Sequence, residues 1–262
     1  MRFHNKVAFI TGGTKGLGRE MAKAFLEEGA FVAVNGRNRE TVAKFEEEFA
    51  GQPAFAFNND ITDYEEMENT AARIIERWGK IDILINNAGI VNPLAPSEKM
   101  KKNDFDRVID VNLKGTFYTT QVVGKKMIEQ KSGRIINIAS QVGLFGDKGF
   151  LPYAISKSAL FVMTRQLCHE WSRYGVTICT LAPGFIKGGM NEGLVRKEAF
   201  VNFLSGKTPI GRMGTVDELI STVLFLASDS AQYINGETIV MDGGMTGYTG
   251  EGLLDFIAKG KS

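Results

Sequence analysis

Short apolar runs and amphipathic stretches alternate along almost the whole chain. Residues 6–11 (KVAFIT) form a nearly continuous apolar run, as expected of a strand buried on both faces of a parallel sheet. Glycines follow, then helical periodicity that closes at Gly29. The same alternation predicts strands at 31–35, 54–57, 81–86, 134–139, 176–181 and near 237–240. Helices are predicted over 39–49, 63–78, about 104–130, from Pro152 onward and over 216–226. Asp63 reads as an N-cap with acids in the first turn, and Pro152 is a helix-start signal. Strands alternating with helices mean βαβ units, right-handed crossovers and a doubly wound α/β fold. No composition break, linker, internal repeat or low-complexity tract divides the 262 residues, so 1–262 reads as a single domain.

Composition narrows the function classes. The 31 basic and 30 acidic side chains nearly cancel, which argues against a broad nucleic-acid or membrane-surface field. No apolar run is long enough to span a bilayer, and the start MRFHNKVAFITGG is not a signal peptide. A cytoplasmic protein with no membrane and no nucleic-acid partner is expected. Cys168 and Cys179 fall in a helical and a strand pattern, as small buried hydrophobes rather than a disulfide framework. With only His4 and His169 besides them, no zinc site is expected.

The glycines after the first strand carry the first candidate chemistry. In Thr11-Gly12-Gly13-Thr14-Lys15-Gly16-Leu17-Gly18, Gly12, Gly16 and Gly18 have the spacing G-x-x-x-G-x-G. A tight turn needs glycine too, but this position in a βαβ series suits a backbone that approaches a pyrophosphate at a helix N-terminus. The second predicted strand ends in Val34-Asn35-Gly36-Arg37-Asn38-Arg39, with no acid to take ribose hydroxyls. Arg37 and Lys15 are either solvated loop charges or partners of a 2′-phosphate. With the acid missing they favour NADP(H) over NAD.

The second candidate lies in Ser140 to Lys157, SQVGLFGDKGFLPYAISK: a hydroxyl, a glycine-broken loop, then Tyr153 and Lys157 on one helical face. A Tyr-x-x-x-Lys pair is usually an ordinary surface pair. An ammonium beneath the phenol would be worth about 4 kcal/mol at roughly 4 Å and an effective dielectric near 20. That is about three pKa units, enough for proton exchange near neutral pH. Ser140, arriving from another element, would hold a carbonyl or alkoxide oxygen beside it.

Taken together, TGGTKGLG at 11–18, Asp60 after the third strand, Asn86-Asn87-Ala88-Gly89, Asn112 in DVNLKGTF, Ser140, Tyr153, Lys157 and Pro183-Gly184 resemble the short-chain dehydrogenase/reductase family over nearly the whole length. The resemblance implies a Rossmann-type fold with a seven-stranded parallel sheet and NAD(P)-dependent hydride transfer. By position, Gly12, Thr14, Lys15, Gly16, Leu17, Gly18 and Arg37 would hold the nucleotide, Asp60 the adenine amino group, and Ile61 would lie beside it through its backbone. Asn86, Ala88 and Gly89 would shape the floor of the site, with Asn87 more fitting as turn structure. Asn112 would lie in a distorted helix whose carbonyl holds a water linked to Lys157; read alone, it is a mediocre mid-helix residue. Pro183, Gly184 and the backbone of Ile186 would bind the nicotinamide carboxamide, and Lys157 its ribose. Gly188 stands where the family often has a threonine, so the following lid is either more mobile or compensated by Lys187. The catalytic set implied is Ser140, Tyr153, Lys157 and Asn112.

For the substrate, Ser140, Val142, Leu144, Phe145, Phe150, Phe185 and Met190 offer an apolar, aromatic lining that suits a lipophilic or cyclic ketone, hydroxysteroid-like, better than a phosphorylated sugar. Such residues also make core and subunit contacts. The stretch 208–245 resembles the 3-oxoacyl-[acyl-carrier-protein] reductase and bacterial ketone-reductase branch. Lys131 stands at one basic position of that branch, but Tyr174 occupies another, beside Arg173, which weakens the carrier-protein alternative. A non-catalytic NADP-sensing protein is the alternative from another class; such a protein is expected to lack the tyrosine or lysine. A substrate lid at about 185–210, a tail at 246–262 and a homotetramer or homodimer complete the expectations.

Overall fold

The computed structural model describes residues 1–188 and 198–247. Seven strands, β1 (Val7–Ile10), β2 (Phe31–Gly36), β3 (Ala54–Asn58), β4 (Ile83–Asn86), β5 (Gly133–Ile138), β6 (Val176–Pro183) and β7 (Thr238–Met241), form one parallel sheet in the order β3-β2-β1-β4-β5-β6-β7. The order reverses between β1 and β4. In open α/β sheets that reversal leaves a crevice outside the carboxyl ends of the strands, where ligands bind.

The near-continuous apolar strands are explained by burial on both faces. Along β1, Ala8 and Ile10 join one core with α1 (Gly16–Glu27) and α2 (Arg39–Glu48), through Met21, Phe25 and Phe45. Val7 and Phe9 point the other way, against Met67 and Ile74 of α3 (Tyr64–Trp78) and toward the helices that follow β4 and β5. Asp63 caps α3 by accepting from the Glu66 backbone N–H at 3.0 Å.

The region expected as one helix over about 104–130 is interrupted. It divides into α4 (Lys102–Ile109), a π-helical segment Asp110–Gly115 and α5 (Thr116–Gln130). Two further helices were not legible as such: the short α6 (Val142–Phe145), inside what reads as a glycine-broken loop, and α8 (Glu198–Lys207), inside the stretch read as a lid. Between them runs α7 (Leu151–Trp171), with Pro152 in its first turn. The last helix, α9 (Val216–Ala227), opens with a capping box between Thr215 and Glu218 and packs Leu219, Val223 and Leu226 into the first core.

Candidate active site

At the carboxyl end of β1, Gly12 takes φ +63° and Gly16 φ +55°, backbone states that favour glycine. A Cβ on Gly18 would fall 2.6 Å from Asn87 Nδ2 and still closer to the Gly12 carbonyl. Lys15 is the N-cap of α1 and makes no side-chain cap hydrogen bond, so the first-turn N–H groups have no side-chain acceptor there. Free donors, a left-handed turn and no Cβ fit a pyrophosphate. Thr14 is buried, its hydroxyl 3.0 Å from that of Thr41, and Leu17 turns its side chain into the core, leaving backbone for any ligand contact.

Sequence reasoning missed what holds this loop. Asn35 Oδ1 accepts from the Gly12 N–H at 2.9 Å, and Asn35 Nδ2 donates to Asn59 Oδ1 at 2.8 Å. Asn59 Nδ2 in turn donates to Thr70 Oγ1. An asparagine ending a predicted strand was the available signal. Arg37 and Asp60, expected to hold different parts of a nucleotide, face one another: Nη1 lies 3.3 Å from Oδ2 in a half-exposed pair. Asp60 also accepts from Thr62 N–H and hydroxyl at 3.0 Å. Ile61 is buried and packs against the Gly115 position. Lys15 is exposed.

Asn86 opens the turn that follows β4. Its side chain points into the interior, where Nδ2 donates to Thr120 Oγ1 at 2.7 Å and Asn137 Oδ1 at 2.8 Å. Asn137, Thr164 and Thr180 continue the hydrogen-bonded chain between β5, α7 and β6, so the Asn86 NH2 is satisfied while its Oδ1 has no partner among the described residues. Asn87 ties the turn to β1, donating to Thr11 O at 3.0 Å, and the Ala88 N–H donates to Thr11 Oγ1 at 3.0 Å. Ala88 also backs directly onto Gly12. Gly89 lies against Asn112 Oδ1 and Lys157 Nζ, 3.3 and 3.4 Å from where its Cβ would stand.

Asn112 occupies the π-helical segment, fully buried, and clamps Ile90 with two 2.8 Å hydrogen bonds: Oδ1 accepts from its N–H and Nδ2 donates to its carbonyl. Nδ2 also donates to Ser156 Oγ at 3.1 Å, which joins this segment to the second turn of α7. Its own carbonyl accepts from the Thr116 hydroxyl at 2.9 Å.

Tyr153 and Lys157 stand one turn apart on α7, both buried. Ser140 follows β5, its Oγ accepting from the Val142 N–H at 3.3 Å. A Cβ on Gly143 would press within 2.8 Å of the Ser158 nitrogen, so α6 packs directly on the turn that carries Lys157.

The electrostatics differ from the expected phenol tuned down by an ammonium. Burial pushes the Tyr153 phenol above its ordinary value, and the Ser140 hydroxyl opposes this only in part. Lys157 is itself lowered to about 8 by burial. Its Nζ donates to the Ile138 carbonyl at 2.7 Å and stands 5.9 Å from the centre of the Tyr153 ring. The physical reason is that the helix face carrying both groups is closed to solvent, so desolvation disfavours both charged forms at once.

Around the reacting end, Pro183 closes β6 and its carbonyl accepts from the Gln141 N–H at 3.0 Å, joining that strand end to the serine loop. Gly184 abuts Asp242 and the buried Gln141 amide. Ile186 is buried and bridges to Gly214. Gly188 takes φ +116°, where a threonine would be strained, and it is the Lys187 backbone that is engaged, donating to Gly214 O at 2.9 Å. Val142 packs with Val108 and Tyr153, and the Phe150 ring lies 6.2 Å from that of Tyr153. Leu144 and Phe145 are exposed, and Phe185 is half-buried. Met190 and the tail beyond Gly247 lie outside the described residues. Among the described residues no group of three or more His, Cys, Asp or Glu is placed to hold a metal ion. No helix among them is long and apolar enough to cross a membrane.

A family model described as enoyl-(acyl carrier protein) reductase matches residues 12–246. The 3-oxoacyl-[acyl-carrier-protein] reductase of Thermotoga maritima is 37% identical over 94% of this chain and 99% of its own length. The gluconate 5-dehydrogenase of Gluconobacter oxydans is 36% identical over 91% of this chain and 94% of its own. Among solved structures, a gluconate 5-dehydrogenase from Burkholderia cenocepacia in complex with NADP and tartrate superposes with a TM-score of 0.86 at 36% identity, covering 95% of this chain and 98% of that one. The chain belongs to the short-chain dehydrogenase/reductase family of oxidoreductases.

Proposed function

We propose that this protein is an NADP(H)-dependent ketone reductase, the reverse reaction being oxidation of a secondary alcohol. The observation that carries the reading is the convergence of Ser140, Tyr153 and Lys157 on one buried patch, beside a glycine turn that fits a pyrophosphate. The cofactor is held by the Gly12–Gly18 turn and the open N-terminus of α1, with Arg37 and Lys15 toward the 2′-phosphate and Asp60 toward the adenine. Pro183, Gly184 and Ile186 face its nicotinamide end. NADP(H), when bound, supplies the hydride.

Tyr153 Oη gives its proton to the ketone oxygen. A phenol raised by burial is protonated at neutral pH, the form an acid needs for reduction. Ser140 Oγ donates to the same oxygen and stabilises the charge that develops there. Lys157 holds the ribose hydroxyls, and Asn112 keeps the π-helical turn open behind it. A homotetramer or homodimer in the cytoplasm is the assembly we expect.

The exposed Leu144 and Phe145, Phe150 beside Tyr153 and the half-buried Phe185 after β6 favour a lipophilic or cyclic ketone of hydroxysteroid-like character. Reduction of a carrier-bound 3-oxoacyl thioester is the second reading, supported by likeness to the Thermotoga maritima enzyme. NADPH oxidation at 340 nm against acetoacetyl thioesters, cyclic and steroidal ketones, and keto sugars separates them. Turnover mainly on cyclic or steroidal ketones is expected; turnover mainly on thioesters would install the second reading. NADPH binding with no turnover on any of them would leave a nucleotide sensor.

Arg37 provides a separate test of the cofactor. Arg37→Ser is expected to raise the KM for NADPH about tenfold or more while leaving that for NADH within about twofold, since the lost charge faces the 2′-phosphate and its ion pair with Asp60 is half-exposed and weak. An equal effect on both cofactors would remove Arg37 from the 2′-phosphate site.

A further inference from the structure

Arg39 is a guanidinium at the nucleotide end of the cleft that the proposed cofactor site does not use. It is exposed and stands at the first position of α2, shortly after β2 ends at Gly36. Its Nε donates to Asn58 Oδ1 at 3.3 Å. The Asn58 amide is oriented without ambiguity, because its Nδ2 donates to the Gly36 carbonyl at 3.0 Å and a carbonyl only accepts. Gly36 and Asn58 are partners in the β2–β3 pairing, so the guanidinium is moored to the carboxyl ends of two adjacent strands. The mooring uses the Nε–H alone. Nη1 and Nη2 have no hydrogen-bond or carboxylate partner among the described residues.

The acids that could neutralise Arg39 are engaged elsewhere. Glu40, beside it in α2, pairs with Lys44 at 2.7 Å. Asp60 pairs with Arg37 through Oδ2 and takes the Thr62 N–H and hydroxyl with Oδ1. Glu66 accepts from the Asp60 N–H at 3.0 Å. Arg37 is therefore partly neutralised by a carboxylate, whereas Arg39 rests on a neutral amide and keeps its whole charge. Arg37 is held at Asp60 and Arg39 at Asn58, two residues earlier in the chain, which sets the two guanidinium groups along one rim. That rim adjoins the glycine turn. Gly36 backs directly onto Thr14, and the Thr41 hydroxyl in the first turn of α2 lies 3.0 Å from that of Thr14. The chain from Gly36 to Thr41, which carries both arginines, thus touches the turn at both of its ends, and Lys15 follows Thr14 in that turn.

We infer that Arg39 is a second specificity-determining arginine for NADP(H), whose free Nη1–Nη2 fork takes the 2′-phosphate together with Arg37. The inference rests on the NADP(H) reading of the cofactor site and deepens it. A planar guanidinium fork matches two phosphate oxygens at once, and a charge not already shared with a carboxylate offers the phosphate its full attraction. A cofactor without the 2′-phosphate leaves this fork in water, where it is already solvated.

The test titrates adenosine 2′,5′-bisphosphate and 5′-AMP, which differ by the 2′-phosphate alone, into the wild type, Arg39→Gln and Arg39→Lys by calorimetry. NADPH and NADH repeat the comparison with the whole cofactor. Both variants change an exposed side chain outside the core. Arg39→Gln is expected to weaken the bisphosphate and NADPH about tenfold and to leave 5′-AMP and NADH within about twofold. Arg39→Lys keeps the charge and loses the fork, so it is expected to bind the bisphosphate about threefold more weakly than the wild type. Equal weakening of all four ligands in Arg39→Gln would overturn the inference, since the mooring to Asn58 would then serve only the shape of the strand ends. Unchanged affinity for the bisphosphate would overturn it too. A wild type that binds 5′-AMP as tightly as the bisphosphate would overturn the NADP(H) reading itself, a failure visible without any variant.

Discussion

Tyr153→Phe is expected to reduce ketone reduction by about a thousandfold or more, while the affinity for NADPH stays within about twofold. The change removes one oxygen and keeps the ring, which is buried against Val108 and Val142 and must stay for the cleft to keep its shape. General acid catalysis by a positioned group typically contributes 10²–10⁴-fold, and here the same oxygen also orients the carbonyl, so the upper part of that range applies. The fold should not suffer: burial already disfavours ionisation of this phenol, and phenylalanine has no polar atom to desolvate. Steady-state kinetics and fluorescence titration with NADPH check the two halves separately. Residual activity within tenfold of wild type would remove Tyr153 from the role of acid.

That the fold could be read from the chain follows from the burial of its strands. A strand covered by helices on both faces, such as β1, must be apolar at nearly every position, and such runs between amphipathic stretches leave little choice but a parallel sheet. The π-helical segment was not legible, because its cause lies elsewhere in the chain. Asn112 is a poor mid-helix residue that is held by Ile90 and Ser156, partners that only tertiary structure brings to it. The same is true of Asn35 and Asn59, whose partners lie 11 to 24 residues away, and of Asn92, which reaches Gly149, 57 residues away. Side-chain identity at 140, 153 and 157 could be read, but their electrostatics could not. The i, i+4 spacing puts an ammonium near a phenol and says nothing of the solvent excluded from both. Once that face is closed, desolvation outweighs the attraction that the spacing suggests.

Lys157→Met is expected to reduce turnover by about a hundredfold or more and, at neutral pH, to leave the protein at least as stable as the wild type. The lysine is buried, with its pKa lowered from 10.5 to about 8. In the unfolded chain it returns to its ordinary value, so between about pH 8 and 10.5 the unfolded state binds the extra proton. Wild-type stability therefore rises with pH across that window. Below it the folded protein carries the whole cost of a buried charge, about 3 kcal/mol for a depression of this size. Methionine has a similar length and no charge to desolvate, so it removes that cost and gives up in exchange the hydrogen bond to the Ile138 carbonyl, worth about 1–3 kcal/mol when its partner is left buried. The sharper test is the pH dependence of the difference. Urea denaturation of both proteins at pH 7 and pH 9.5 should show the variant losing about 1–2 kcal/mol relative to wild type as pH rises, because only the wild type sheds a proton. A stability difference that does not change with pH would mean that Lys157 keeps an ordinary pKa in the folded protein. The residue that serves the nicotinamide ribose would then impose no cost on the fold, and its burial would have to be explained by an anionic partner rather than by tolerance of a neutral amine.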